Sequence, residues 1–265
     1  SRFLAHFQRV YIMARRLAWR GLPALVIFWP ALCGADTALI AVASNFAEVA
    51  ESLVRDFENL SEHEIEISAA STGKHYAQVI NGAPYDALLA ADQASPRRLE
   101  ESEIAVAGTR FVYAIGKLTL WSADKELIHD DGTAVLEKQD FRALAIANPA
   151  LAPYGIAARE TLQSLGLWNA IEHKIVMGEN VGQAFVLAAT GNAELGLVAL
   201  SSVISKRNEN TGSRWDVPSE LHAPIRQDAV LLEHGYGNAA AVAFLAYLQS
   251  DEARLTIESF GYGLE

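Results

Sequence analysis

The sequence predicts an α/β fold of two lobes joined by a hinge, each lobe built on a mixed, mostly parallel sheet. Three observations carry that expectation. Short continuous apolar runs alternate with amphipathic stretches, the pattern of parallel strands buried under helices. The alternation comes as two series, which meet where two strand-like runs, 111–115 and 118–122, are separated only by Gly116-Lys117. No low-complexity linker lies between the series, so the chain must cross from one to the other through strands, and such a crossing makes a hinge. At 265 residues there is room for two lobes of roughly 100–130 residues each.

In chain order, residues 38–43 (ALIAVA) form a continuous apolar run that suits a buried parallel strand. Ser44-Asn45 follows, with Glu48 three residues after Asn45 at the spacing of a capping box. Phe46, Val49, Leu53 and Phe57 then recur at helical intervals. The next strand is 65–70 (IEISAA), leading into Ser71-Thr72-Gly73 and a helix to Ile80, which Asn81-Gly82-Ala83-Pro84 stops. Residues 86–91 (DALLAA) read as a third strand and 97–101 as a helix. In the second series, 144–147 is a strand and 148–155 a loop with two prolines. A helix over 156–165 follows, then a short strand at 175–176. A helix opens at Glu179-Asn180-Val181 and runs to about 189, and 195–199 (LGLVA) is another strand. Residues 206–213 read as a polar surface loop, 225–232 as extended chain, and 239–249 and 251–260 as two closing helices.

The expected boundaries are 36–116 plus 225–265 for the first lobe and 117–224 for the second. Residues 1–35 are expected to be a secretory signal. They hold Arg2, Arg9, Arg15, Arg16 and Arg20, no lysine and no acid, and an apolar run from Leu22 to Leu32 that ends in Cys33-Gly34-Ala35. A positive region, a short apolar region and small residues at the cleavage site are the layout of an export signal. Cleavage is expected after Ala35, leaving Asp36 first in a periplasmic chain. The run is about half the roughly 20 residues a membrane span needs, and Pro23 and Pro30 interrupt it. Leu32 just before Cys33 argues against a lipid anchor on that cysteine. Removing the segment's five arginines from the 21 basic residues leaves 16 against 32 acids, a net charge of −16. So acidic a chain is not a nucleic-acid binder, since that function needs a basic footprint. The single cysteine, Cys33, excludes an internal disulfide framework and a cysteine-based zinc site.

The recurring chemical feature is a strand that runs into small polar residues at a helix start: Ser44-Asn45, Ser71-Thr72-Gly73, Tyr154-Gly155 and Asn180-Val181-Gly182. Helix amino ends carry free N–H groups and partial positive charge, so they hold anions. Each one alone is more simply a good helix cap. Four in one exported, two-lobed chain point to an anion held in a cleft by neutral donors. Lys74 reads as a solvated first-turn lysine. Motifs for catalysis are missing. There is no G-x-S-x-G elbow, His63-Glu64 lacks the second histidine of H-E-x-x-H, and Ser71-Thr72-Gly73-Lys74 lacks the rest of a phosphate loop. His75, His173, His222 and His234 show no ligand spacing and read as surface or hydrogen-bonded histidines.

Over residues 38–264 the chain resembles the periplasmic molybdate-binding proteins (the ModA family) that serve molybdate ABC importers. The resemblance rests on AVASNF (41–46), SAASTG (68–73), NGAPYDALLAADQ (81–93), ANPALAPYGIAARETLQSLGLW (147–168), GENVGQA (178–184), ELGLVALS (194–201) and the tail FGYGL (260–264). It implies a type II periplasmic-binding-protein fold, no enzymatic activity and no cofactor. Its ligand is molybdate or tungstate, so the metal is held as the oxyanion. Its partner is the membrane permease of an ABC transporter, and the chain is monomeric. By the same resemblance Ser44 is the first hydroxyl ligand with Asn45 beside it, Thr72 next to Ser71 is the second, and Val181 gives a backbone N–H. Tyr154 stands where family members donate a backbone N–H or a tyrosine hydroxyl. Many members carry a tyrosine ligand where this chain has Ala199, so Tyr154 is expected to supply the hydroxyl. Molybdate is a tetrahedral dianion that suits a cage of donors alone. Hydrogen phosphate would set its own proton against a donor, and the smaller sulfate would leave the bonds stretched. Sulfate, phosphate and ferric ion remain alternatives within the binding class, and an enzyme on a similar scaffold remains the alternative outside it.

Overall fold

The structure, a computed structural model, describes residues 35–265 apart from 130, 209 and 210. Of the expected signal segment 1–35, all but Ala35 lies outside the described residues. Gly34–Glu265 is one compact unit, and no helix among the described residues is long and apolar enough to cross a membrane.

Two five-stranded sheets organise the unit. The first is built from β1 (Thr37–Ala43), β2 (Glu64–Ala70), β3 (Ala87–Leu89), β4 (Phe111–Gly116) and the late strand β10 (Ile225–Leu231), in the order β2-β1-β3-β10-β4. The second holds β5 (Leu118–Ser122), β6 (Leu144–Ala147), β7 (Ile175–Gly178), β8 (Leu195–Ala199) and β9 (Ser213–Asp216), in the order β7-β6-β8-β5-β9. In each sheet four strands run one way and one runs against them: β10 in the first and β5 in the second. These are the two strands that receive the chain after it passes between sheets, at Gly116-Lys117 going out and after β9 coming back.

Helices cover both sheets: α1 (Ala47–Leu60), α2 (Thr72–Ile80), α3 (Ala94–Glu101), α4 (Gly132–Lys138), α5 (Pro153–Ser164), α6 (Trp168–Ile171), α7 (Val181–Ala189), α8 (Leu200–Val203), α9 (Ala239–Tyr247) and α10 (Asp251–Ser259). The apolar runs sit where continuous burial predicts, with β5, β6 and β8 buried throughout. Helix α1 buries Val49, Ala50, Leu53, Val54 and Phe57, its period-3.6 stripe, against the first sheet. Each such large side chain removed from water contributes about 1.5–3 kcal/mol.

Three sequence expectations shift. Helix α5 starts at Pro153, three residues before the expected start, because proline is at home in a first helical turn where its missing N–H is not needed. The polar loop expected over 206–213 runs into a strand the sequence did not announce, β9 (Ser213–Asp216), an edge strand of only four residues with no clean alternation. Asn45 and Glu48 do not form a capping box: a 3-10 turn over Ser44–Phe46 precedes α1, no side chain caps either helix, and Glu48 instead accepts from the Ser205 hydroxyl at 2.6 Å.

Candidate functional site

In a sheet of parallel strands the carboxyl ends are where loops and helix amino ends gather. All four polar helix starts lie there. β1 ends at Ala43 and delivers Ser44-Asn45 in the 3-10 turn. β2 ends at Ala70 and delivers Ser71-Thr72 to α2. In the second sheet, β6 leads through 148–152 to α5, and β7 leads through Glu179-Asn180 to α7.

The two sets of ends touch. The Gly73 N–H donates to the Leu151 carbonyl at 2.8 Å, which joins the start of α2 to the loop before α5. Lys74 Nζ lies 2.9 Å from Glu179 Oε1, just before α7. Gly182 faces Ser44 so closely that a β-carbon there would sit 3.9 Å from the serine's own. The helix starts that carry Ser44, Thr72 and Val181 are thereby brought next to one another between the sheets, with Tyr154 three residues beyond Leu151. Thr72 is 1% exposed and Val181 2%.

What each residue offers follows from its other bonds. The Thr72 hydroxyl accepts from the Ala91 N–H at 2.9 Å, so its own proton is directed elsewhere. Ser71 caps α2, its oxygen accepting from the Lys74 N–H at 3.3 Å. Asn180 caps α7 by accepting from the Gln183 N–H at 3.0 Å, which leaves the Val181 and Gly182 N–H groups without an intrahelical acceptor. The Asn45 side chain is turned inward. Its amide donates to Gln227 Oε1 at 2.9 Å and to the Tyr262 hydroxyl at 3.0 Å, so what it can offer the cleft is its main-chain N–H.

Tyr154 carries two donors, its hydroxyl and its main-chain N–H. Its hydroxyl accepts from Gln227 Nε2 at 3.4 Å. It also lies against Gly116, where an added β-carbon would come within 2.2 Å of it. The hydroxyl lies at the crossing between the sheets and, like that of Thr72, keeps its own proton to donate. Tyr154 is also the second residue of α5, which leaves its main-chain N–H without an intrahelical acceptor. Ala199, where the family resemblance places a tyrosine in many members, is a buried methyl that ends β8 just before α8.

No net charge is concentrated on these donors. Lys74 is matched by Glu179. His75, fully buried behind Thr72, has its pKa lowered by burial, and its ring nitrogens contact the Val42 carbonyl and Gln78 Oε1, both at 3.2 Å. Burial raises the Tyr154 and Tyr113 hydroxyls well above their ordinary value and pushes Tyr262 up to about 12, so all three keep their protons at neutral pH. The arrangement is a partly enclosed set of neutral N–H and O–H donors, the chemistry that holds a dehydrated anion.

Sequence reasoning missed the layer behind the cleft: Gln227, Tyr113, Tyr262 and Ser201. A signal for Gln227 existed, since Arg226-Gln227-Asp228 interrupts an otherwise apolar extended run, and of these Gln227 and Asp228 are fully buried.

Among known proteins, the family model of bacterial extracellular solute-binding proteins matches residues 38–263. The molybdate-binding protein ModA of Azotobacter vinelandii is 46% identical over 235 residues, 88% of this chain and 93% of that protein. ModA of Rhodobacter capsulatus is 43% identical over 242 residues, 91% and 94% of the two chains. The solved periplasmic molybdate-binding protein of Azotobacter vinelandii superposes with a TM-score of 0.83 at 38% identity, covering 86% of this chain and all but 1% of the other (99%). The sulfate-binding protein SubI of Mycobacterium tuberculosis has a TM-score of 0.73 at 11% identity over 86% of each chain, a likeness of fold alone. With the family match spanning both sheets and two relatives this similar along most of their length, the chain belongs to the bacterial extracellular solute-binding proteins, in the group of the ModA proteins.

Proposed function

We propose that the protein captures molybdate or tungstate between its two sheets and delivers the anion to the membrane permease of an ABC importer. The single observation that carries this reading is the convergence of four helix starts, with Gly73 bonded to Leu151 and Gly182 facing Ser44. The ligand donors in this reading are the Ser44 and Thr72 hydroxyls and the main-chain N–H groups of Asn45, Tyr154 and Val181, with Ser71 holding the start of α2. Donors without an acceptor among them favour a fully deprotonated dianion over hydrogen phosphate. The close relation to two molybdate-binding proteins favours the larger anions over sulfate.

The halves that close on the anion are 36–116 plus 225–265 and 117–224, turning about the two crossings. The protein works as a periplasmic monomer without a cofactor, after cleavage behind Ala35, which the mass of the exported chain checks. It binds rather than transforms its ligand, as members of a solute-binding family do.

The test is a thermal-unfolding series on the chain from Asp36 with molybdate, tungstate, sulfate and phosphate added separately. A ligand at about 1,000 times its Kd stabilises the native state by about 4 kcal/mol, or about 10 °C for a chain of this size. Molybdate and tungstate are expected to give that shift and the other two anions none. Ser44→Ala and Thr72→Ala each remove a hydrogen bond to a charged ligand, so each is expected to raise Kd about 10- to 100-fold. Unchanged affinity in both variants defeats the reading.

A further inference from the structure

Behind the cleft, the C-terminal tail reaches the turn that carries Ser44 and Asn45. Gly263 exchanges two backbone hydrogen bonds with Ile115, both 2.8 Å, in the last residues of β4 before the chain crosses to the second sheet. That pairing places Tyr262 under the turn. Its ring meets Phe46 edge to face with centroids 5.4 Å apart. Its hydroxyl donates to the Asn45 carbonyl at 2.7 Å and accepts from the Asn45 amide at 3.0 Å. The same hydroxyl lies 3.1 Å from the Ser201 hydroxyl, which comes from α8 of the other half and also reaches the Asn45 carbonyl at 3.3 Å. Tyr262 is 4% exposed and Asn45 6%.

In a helical turn N–H groups face the amino end and carbonyls the carboxyl end. A residue tethered by its carbonyl and its side chain has little freedom left to reorient its N–H. We propose that Tyr262 is a positioning residue of the anion site: it fixes the turn from behind, and through Ser201 it makes the aim of that turn depend on the second half being in place. The proposal rests on the reading of Ser44 and Asn45 as anion donors. Opening of the halves draws Ser201 away from Tyr262, loosens the turn and releases the anion. Closing restores the set. The tail is thus part of the binding device, although none of its atoms needs to touch the ligand.

The experiment measures molybdate and tungstate Kd by calorimetry and the dissociation rate by stopped flow. It compares wild type, Tyr262→Phe, Ser201→Ala and the double variant, with thermal unfolding of each ligand-free protein alongside. Tyr262→Phe keeps the ring packing and removes only the hydroxyl. It is expected to raise Kd about tenfold, the factor that the loss of one to two net hydrogen bonds represents, and to raise it through faster dissociation. Ser201→Ala is expected to raise Kd about threefold, and the double variant to match Tyr262→Phe, because the two side chains act as one unit. A role in stability alone would lower the unfolding temperature and leave Kd at the wild-type value. That result, or strict additivity in the double variant, overturns the proposal. Should Tyr262→Phe fail to fold, Ser201→Ala carries the test from the other end of the same bond, and an unchanged Kd there overturns it equally. A wild-type chain that binds neither anion overturns the reading of the site itself, and is told apart from the other outcomes because it needs no variant.

Discussion

In the proposed closure, Gly73 sets how closely the two halves approach. A β-carbon there would stand 2.8 Å from the Leu151 carbonyl oxygen, an atom of the backbone that has no rotamer to yield. Gly73→Ala therefore acts on closure and leaves the packing within either half alone. Overpacking of this kind typically costs about 1–3 kcal/mol, so the variant is expected to raise the molybdate Kd about 10- to 100-fold while the ligand-free protein unfolds within a few degrees of wild type. Calorimetry and thermal unfolding check both parts. A Kd equal to wild type would mean that the halves do not meet at this point when the anion is bound. The same scale shows how legible the site is. Ser44, Thr72 and Asn180 stand at strand-to-helix junctions and are visible as polar punctuation after apolar runs. The inward turn of Asn45 is invisible, because its partners Gln227 and Tyr262 lie 182 and 217 residues further along the chain.

Among the elements, α2 and β1 are tied by His75, whose Nε2 contacts the carbonyl of Val42 two residues before Ser44. Burial holds its pKa below 6.5 in the folded protein. The unfolded chain takes up a proton near 6.5 that the native protein refuses, so this contribution to stability is complete above 6.5 and is lost as pH falls below it. The loss reaches at most about 1.4 kcal/mol per pH unit. Asp92 works in the opposite sense: burial raises its pKa in the folded state, so the native protein gains stability as pH falls through that raised value. A comparison of urea unfolding at pH 7.5 and 5.5 separates the two, since His75→Gln is expected to flatten the fall and an undiminished fall would remove His75 as its source. Elements with strong periodicity or continuous burial, such as α1, β1 and β8, are readable in the sequence. Helix α4 and strand β9 are not. The first spans seven residues and opens on Gly132. The second is an edge strand paired only through β5. Their positions come from what they pack against.

Over the whole molecule, charge and site pull in different directions. Beyond residue 35 the chain carries a net charge of −16, as counted above, and it is proposed to bind a dianion. Long-range repulsion slows the approach of such a ligand, and salt screens it. The association rate of molybdate is therefore expected to rise between 20 and about 200 mM salt, a range over which the Debye length falls from roughly 20 Å to below 10 Å. A site built on lysine or arginine would show the reverse, and a falling rate in stopped-flow measurements would show that a cation guides the anion in. Two α/β sheets are legible as two series meeting at Gly116-Lys117. The order of strands within each sheet is not, because pairing between strands distant in sequence leaves no local mark. The return of 225–232 to the first series is legible, but its place between β3 and β4, which brings Gln227 to the back of the site, is not.

The pairing of Gly263 with Ile115 has a practical side. In the proposed closure, a polypeptide attached after Glu265 would be leashed two residues from the strand on which the halves turn, and its attachment point would feel their rotation more directly than would one at the start of β1. A purification handle there would burden the moving part of the machine, whereas an environment-sensitive dye or a fluorescent reporter at the same place would be well sited to turn occupancy of the cleft into light.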